Sequence, residues 1–195
     1  MEIIKLEDLL EGDQEKERLL ESLKRGEIII YPTDTVYGIG CNIEKEDSVK
    51  RIIEAKQRDP KKPLSIIAPS VDWILENCQV SEFNKSLLNQ LFPGPYSAVL
   101  KVKSDSKIPK YLQSSEKTIG VRVPRHQLTD LIRESGLVII TTSLNISGQQ
   151  TITKIEEIPE SLQKITSIAV DAGQLSSESS RVFDMTSDDI QILRW

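Results

Sequence analysis

Apolar positions along the chain recur in two spacings, and the switches between them predict helices and strands in alternation. Leu19, Leu20 and Leu23 fall at helical spacing, with Asp13 placed to cap that helix and Gly26 just past its end. Residues 27–31 then read as a strand stopped by Pro32, and a second strand or turn lies around 36–41. A helix is expected from about Asp47, with Val49, Ile52 and Ile53 on one face. It must end before Pro60, because the residue preceding a proline is pushed out of the helical region. Residues 64–68 predict a buried strand, and 81–91 a helix with Leu87, Leu88 and Leu91 inward, closed by Pro93, Gly94 and Pro95.

Further strands are expected at 97–102, 118–123, 137–142, 168–171, 181–185 and the chain end, with a helix at 128–135. Strands joined only in part by helices predict an α/β fold with a mixed sheet and helices packed on it. The C-terminal part is strand without much helix, which argues against a purely parallel doubly wound sheet.

Composition narrows the picture. A chain of 195 residues, 38% of them apolar, is expected to form one domain over 1–195 with its own core. No apolar run approaches the roughly 20 residues of a spanning helix, and Met1-Glu2-Ile3-Ile4-Lys5 lacks the features of a signal peptide, so a cytoplasmic protein is expected. Cys41 and Cys78 stand far apart in no ligand pattern and read as reduced core thiols. His126 is the only histidine, which argues against a zinc site or a Ser-His-Asp relay.

The net charge of −5 argues against a general nucleic-acid or membrane binder. Against that background Lys50, Arg51, Lys56, Arg58, Lys61 and Lys62 meet only Glu54 and Asp59, a local excess that suits a bound polyanion or a solvated helix face.

The familiar phosphate loops are missing: Gly38-Ile39-Gly40 has no third glycine at the required position, and no GxxxxGK[ST] occurs. Four other segments carry candidate chemistry. Thr33 and Thr35 follow an apolar strand and can offer two hydroxyls to a small polar ligand; a turn with Asp34 on local backbone is the alternative. Lys56 and Arg58 can converge where the helix gives way to extended chain, a fork and a point charge suited to a triphosphate. A run of strand residues empties into Ser143, Asn145 and Gly148, groups able to read phosphate, ribose or carboxylate. Arg122 lies mid-strand and requires either a protein partner or an anionic ligand, and the hydroxyls of Ser179 and Ser180 precede another strand.

In this order YPTDTVYGIG, AKQRDPKKPLS, FPGPYS, TIGVRVP, TTSLNISG and SSRVFD resemble the YrdC/TsaC family over nearly the whole chain. The KxR and SxN tetrad of that family corresponds to Lys56, Arg58, Ser143 and Asn145. The resemblance implies a twisted sheet with a concave, basic face and an L-threonylcarbamoyladenylate synthase, a nucleotidyltransferase acting on L-threonine, bicarbonate or CO2, and ATP. It places Lys56, Arg58, Lys62, Thr118, Ser143 and Asn145 at ATP, with Lys56 and Arg58 catalytic, and Thr33, Thr35, Arg122, Ser179 and Ser180 at threonine. Mg2+ is expected through the ATP phosphates, with no protein ligands.

The product would pass to downstream tRNA threonylcarbamoyl-transferase proteins, and a Lys56→Ala variant is expected to lose pyrophosphate release while keeping its fold. Departures are Gln57 for Gly, Leu144 for Ala, Ser97 for Thr and Ile67 for His, some of which resemble YciO-type paralogues. The runner-up is a non-catalytic RNA-binding module that follows phosphates by shape.

Overall fold

The structure is a computed structural model that describes residues 1–59, 64–175 and 178–194. Its strands are β1 (Glu2–Lys5), β2 (Ile28–Tyr31), β3 (Gly38–Gly40), β4 (Ser65–Ile67), β5 (Cys78–Gln79), β6 (Tyr96–Val102), β7 (Thr118–Arg122), β8 (Ile139–Ser143), β9 (Thr166–Asp171), β10 (Arg181–Asp184) and β11 (Gln191–Arg194). The helices are α1 (Leu6–Glu11), α2 (Asp13–Arg25), α3 (Glu46–Ala55), α4 (Val71–Asn77), α5 (Glu82–Leu91), α6 (Gln127–Glu134) and α7 (Glu160–Ile165).

The strands join into one mixed sheet in the order β1-β9-β2-β3-β8-β4-β7-β6-β10-β11, with β5 beside β6. Four pairs are parallel (β1 with β9, β2 with β9, β4 with β7, β6 with β10) and the others are antiparallel. The fold class expected from the alternating patterns is the one observed. Burial explains why β2 is an unbroken apolar run: Ile28 and Ile30 enter one core cluster and Ile29 and Tyr31 the other, so both faces are covered.

The two faces are covered unequally. On one, Val49 and Ile52 of α3, Ile74 of α4, Leu88 of α5 and Leu162 of α7 pack along the sheet as far as Leu100 and Val102 of β6. On the other, Leu9 of α1, Leu19 and Leu23 of α2, and Leu128 and Ile132 of α6 cover β1, β9, β2 and the apolar ends of β4 and β8. Polar side chains of β4, β6, β7 and β8 are left facing a hollow on that second side.

One expectation needs correction. Asp13 opens α2 as its first residue and does not cap it; Gly12 holds the cap position, because α1 runs directly into α2 through it, and Asp13 pairs with Lys16 at 3.1 Å. In α5 Leu88 is fully buried and Leu87 and Leu91 pack half-buried against the same core, as expected, and Asn84 joins them inward, donating to Met185 O and Ser187 O. The end of α2 follows expectation. Gly26 at φ +92° closes it with N–H bonds to Leu23 O and Ser22 O, a geometry a glycine adopts without the Cβ cost. Both cysteines are buried and unpaired, and burial pushes each thiol up to about 12.

His126 caps α6: its Nδ1 accepts the Leu128 N–H at 3.2 Å, which requires the neutral ring. Burial holds the imidazole below its usual 6.5, opposed by Asp34 and Asp130. In acid the unfolded chain takes up a proton that the folded ring refuses, so stability falls as pH drops through and below 6.5. Urea denaturation at pH 5 and 7.5 should show this loss, and His126→Asn, which keeps a capping acceptor worth about 1 kcal/mol, should remove that part of the pH dependence.

Candidate active site

The end of α3 fixes the first pair of candidate residues. The N–H groups of Gln57 and Arg58 reach back to Glu54 O (2.9 Å) and Ile53 O (3.0 Å), the double bond pattern of a helix closed by a left-handed residue. That residue is Gln57, at φ +52°, a conformation that costs a side-chain-bearing residue roughly 1–2 kcal/mol. The reversal sends Lys56 inward and leaves Arg58 half-buried on the wall of the hollow.

Lys56 is 1% exposed. Its ammonium donates to Ser143 O, to Asn145 O at 2.5 Å and to Asn145 Oδ1 at 3.1 Å. Asn145 Oδ1 also accepts from Ser143 Oγ at 2.8 Å, Asn145 Nδ2 donates to Gln149 O at 2.8 Å, and Ser147 N–H closes the loop onto Lys56 O at 2.9 Å. The structure therefore brings Lys56, Arg58, Ser143 and Asn145 together around a hollow of about 170 Å3. The ammonium thus engages three oxygens of the loop, so Lys56 holds the loop in place while Arg58 lies on the wall of the hollow. Burial first, and Arg58 second, push Lys56 down to about 7.

A central hollow of about 160 Å3 adjoins this one through the shared walls of Arg58, Thr142 and Ser143. Ser65, Ser97, Thr141, Ser179, Ser180 and Arg122 also line it. Its floor is tight: a Cβ on Gly120 would lie 2.3 Å from Ser65 Oγ, so the close approach of β4 and β7 here needs glycine. Ser179 leads on to a third hollow, of about 240 Å3, with Asp34, Thr35, Tyr96 and Arg181 on its wall.

Arg122 is the charged centre. Its side chain is 8% exposed and its Nη2 donates to Asp34 Oδ1 at 2.8 Å and to Thr35 Oγ1 at 3.3 Å. Asp34 Oδ2 accepts the Arg125 N–H at 2.9 Å. Of the two outcomes open for Arg122, a protein partner is realised, yet its buried Nε has no acceptor among the described residues. The Thr33 hydroxyl lies 3.1 Å from that of Thr35. It donates to Val36 O (2.7 Å) and accepts the Thr35 N–H (3.2 Å), which locks the turn.

Ser180 Oγ lies 2.9 Å from Ser97 Oγ and accepts from Arg194 Nη2 at 3.1 Å. Thr118 stands on the same face of β7 as Gly120 and Arg122, about 13 Å along from Arg122 at the strand repeat, with its hydroxyl 2.7 Å from Ser114 Oγ. Lys62 lies outside the described residues. No group of three His, Cys, Asp or Glu able to hold a metal occurs among the described residues, and no helix among them is long and apolar enough to cross a membrane.

Residues 21–195 match the family model Sua5_yciO_yrdC, described as "Telomere recombination". The chain belongs to the Sua5/YciO/YrdC family. It is 33% identical to a putative threonylcarbamoyl-AMP synthase of Methanocaldococcus jannaschii over 98% of its own length and 91% of that protein. The structure of E. coli YciO superposes with TM-score 0.86 at 27% identity, covering 94% of this chain and 89% of that one. P. abyssi Sua5 complexed with L-threonine superposes with TM-score 0.84 at 29% identity over 94% of this chain; this chain spans 54% of that longer protein.

Within this Sua5/YciO/YrdC chain two residues that sequence reasoning missed shape the site. The sequence offers Asp34 only a local turn, and its place opposite Arg122, 88 residues later, carries no local signal. Arg194 enters the central hollow from β11, and a lone guanidinium in the strand Gln191–Arg194 was the available clue.

Removing the Asp34 charge strands a buried guanidinium. Asp34→Asn should therefore cost roughly 3 kcal/mol of stability, the low end for breaking a buried pair. The midpoint of urea unfolding measures it; a change under about 1 kcal/mol would show that solvent already screens the pair as it does at a surface.

Proposed function

We propose that this chain is an L-threonylcarbamoyladenylate synthase, condensing L-threonine, bicarbonate or CO2, and ATP to threonylcarbamoyl-AMP and pyrophosphate for modification of tRNA. The observation that carries this reading is the run of three adjoining hollows with an arginine on the wall of each: Arg58 at the loop end, Arg122 and Arg194 at the centre, and Arg181 in the third. A molecule with a phosphate chain at one end and an amino-acid carboxylate at the other suits that spacing of positive charge. The name of the Methanocaldococcus jannaschii relative and the threonine bound by P. abyssi Sua5 support the same assignment.

The chemistry needs no protein nucleophile. The threonine amine takes up CO2 as a carbamate, a carbamate oxygen attacks the α-phosphorus, and the bond to the β-phosphate's bridging oxygen breaks to release pyrophosphate. Two anions must be aligned and the charge on the leaving group neutralised, tasks that positioning and fixed cations perform. Arg58 would face the β- and γ-phosphates, joined by Lys62. Ser143 and Asn145, held by Lys56, would present the loop to the nucleotide, with Thr118 further along the same face.

Arg122, oriented by Asp34, would turn its unspent Nε toward the threonine carboxylate, with Thr35, Ser179 and Ser180 at its polar end. Mg2+ would arrive bound to the phosphates, the usual mode for an ion that keeps most of its waters. The active protein is expected in the cytoplasm, where its substrates and the tRNA-modifying proteins that take its product are found.

Two measurements test the reading. Pyrophosphate release should require threonine and bicarbonate, each omitted in turn, and Arg58→Ala should lower kcat/KM by about a hundredfold, the scale of one lost electrostatic contact to a transition state. Salt-sensitive RNA binding without threonine-dependent turnover would favour the RNA-binding module instead. Arg58 replaces Lys56 as the diagnostic position, because Lys56→Ala would remove a donor shared by three oxygens of the loop and so disturb the loop itself.

The second concerns protons. An oxyanion beside Arg58 favours the charged form of Lys56, which stands at about 7 in the free protein. ATP binding at pH 8 should therefore take up protons, and the affinity should rise as pH falls from 8.5 to 7. Calorimetry in two buffers of different ionisation enthalpy measures the uptake; none at pH 8 would place the triphosphate away from this pair.

A further inference from the structure

A second cavity, of about 490 Å3, lies beneath the long connection from β6 to β7. Lys103, Lys110 and Lys117 line it together with Ser106, Gln113 and Ser114. The two acids of the connection, Asp105 and Glu116, are not on its wall. It is remote from the cleft. Ser97 of β6 lines the cleft and Val102 lines this cavity, five strand residues or roughly 17 Å apart.

The connection is firmly built. Asn77 Oδ1 accepts the Lys107 N–H at 2.8 Å and Ser106 Oγ at 3.1 Å, Gln113 Nε2 donates to Ile108 O at 3.0 Å, and Ser114 Oγ accepts the Thr118 N–H at 3.1 Å. These bonds tie down the frame but leave the cations unspent. Lys103 Nζ gives one bond, to Leu75 O at 2.6 Å, and keeps two N–H groups; the side chains of Lys110 and Lys117 are exposed and make no hydrogen bond or ion pair among the described residues. Lys117 is also held at φ +58°, a left-handed conformation that a lysine adopts only at a cost in strain. Three lysines on the wall of one concavity, in a chain whose net charge is −5, concentrate positive charge there. Phosphate oxygens placed among them complement that charge, and the serine and glutamine groups on the wall can supply further donors.

We propose that the 103–117 connection forms a second anion site, separate from the cleft, that takes the phosphate groups of an oligophosphate or of an RNA backbone. The site is independent of the synthase reading.

The test uses the full chain and inorganic tripolyphosphate, followed by amide NMR. In the wild type, amides of 103–117 should shift and saturate; in Lys110→Ala/Lys117→Ala, both exposed positions, their midpoint should rise about tenfold, the effect of losing about 1.4 kcal/mol of charge interaction. Amides of 143–148 should respond alike in both proteins. Failure of the synthase reading would silence 143–148 and leave 103–117 responding, so the two failures are distinguishable.

A labelled RNA duplex separates the sources. Loss of affinity in the double variant with a shallower salt dependence, by about two charges, assigns the site to RNA; unchanged RNA affinity with weakened tripolyphosphate assigns it to free oligophosphate. Lys117→Gly adds a readout that a purely structural role would not give: a higher unfolding midpoint together with weaker tripolyphosphate binding. Amides of 103–117 silent toward both probes, or equally responsive in the double variant, would overturn the proposal.

Discussion

A buried ammonium must find oxygen, and in this protein that requirement assembles the site. Lys56 leaves the end of α3 with almost no access to water. Its charge is tolerable only because two carbonyls and one amide oxygen of the segment after β8 close around it. Satisfying the lysine therefore fixes a loop 87 residues away in sequence, and with it the orientation of Ser143, Asn145 and the backbone up to Gln149. Carbonyl oxygens are weaker counterparts than a carboxylate would be, which is why burial and Arg58 still lower the lysine's proton affinity.

Arg122 poses the same problem and solves it differently. Here a full carboxylate, Asp34, meets the guanidinium inside the protein. A planar fork has five donors, and one carboxylate oxygen with one hydroxyl engages a single nitrogen. The pair therefore offsets part of the cost of burying the charge, although burial still lowers the guanidinium's proton affinity, and it leaves the Nε of Arg122 without an acceptor among the described residues. The opposed uses of Lys56 and Arg58, two residues apart, follow from the left-handed turn at Gln57 between them. One cation is a structural post and the other is presented to the hollow.

Much of the fold was legible because long, regular elements announce themselves. The apolar runs of β2 and β8, the amphipathic α2, α3 and α6, and the glycine closing α2 carry period, propensity and cap in one place. The elements that went unseen, β1, α1, α4, β5 and α7, are two to seven residues long, too short for a periodicity to repeat. The site divides along the same line. Lys56, Arg58, Ser143 and Asn145 could be named from motif spacing, but which of them touch one another could not. Whether a lysine spends its protons on protein or on ligand depends on the loop that happens to face it. Asp34 was hidden for the same reason: its partner is distant in sequence, and a Pro-Thr-Asp turn explains an aspartate without one.

The departures from the family pattern fall mostly where they leave the polar wall intact. Leu144 is fully buried, its N–H on Tyr37 O, so a larger side chain than alanine there alters core packing behind the loop. Gln57 changes the cost of a backbone turn whose geometry is still made. Ser97 keeps the hydroxyl that Thr would have supplied and uses it on Ser180. Ile67 is the exception in kind. It is the register neighbour of Arg122 and is packed in the apolar cluster with Leu128 and Ile139. An imidazole at that position would add a titratable donor beside the guanidinium; isoleucine offers no hydrogen bond there, and the partners of the Arg122 side chain are Asp34 and Thr35. The substitution therefore leaves the orientation of Arg122 to the turn at 33–36 and takes nothing from that turn's own bonds.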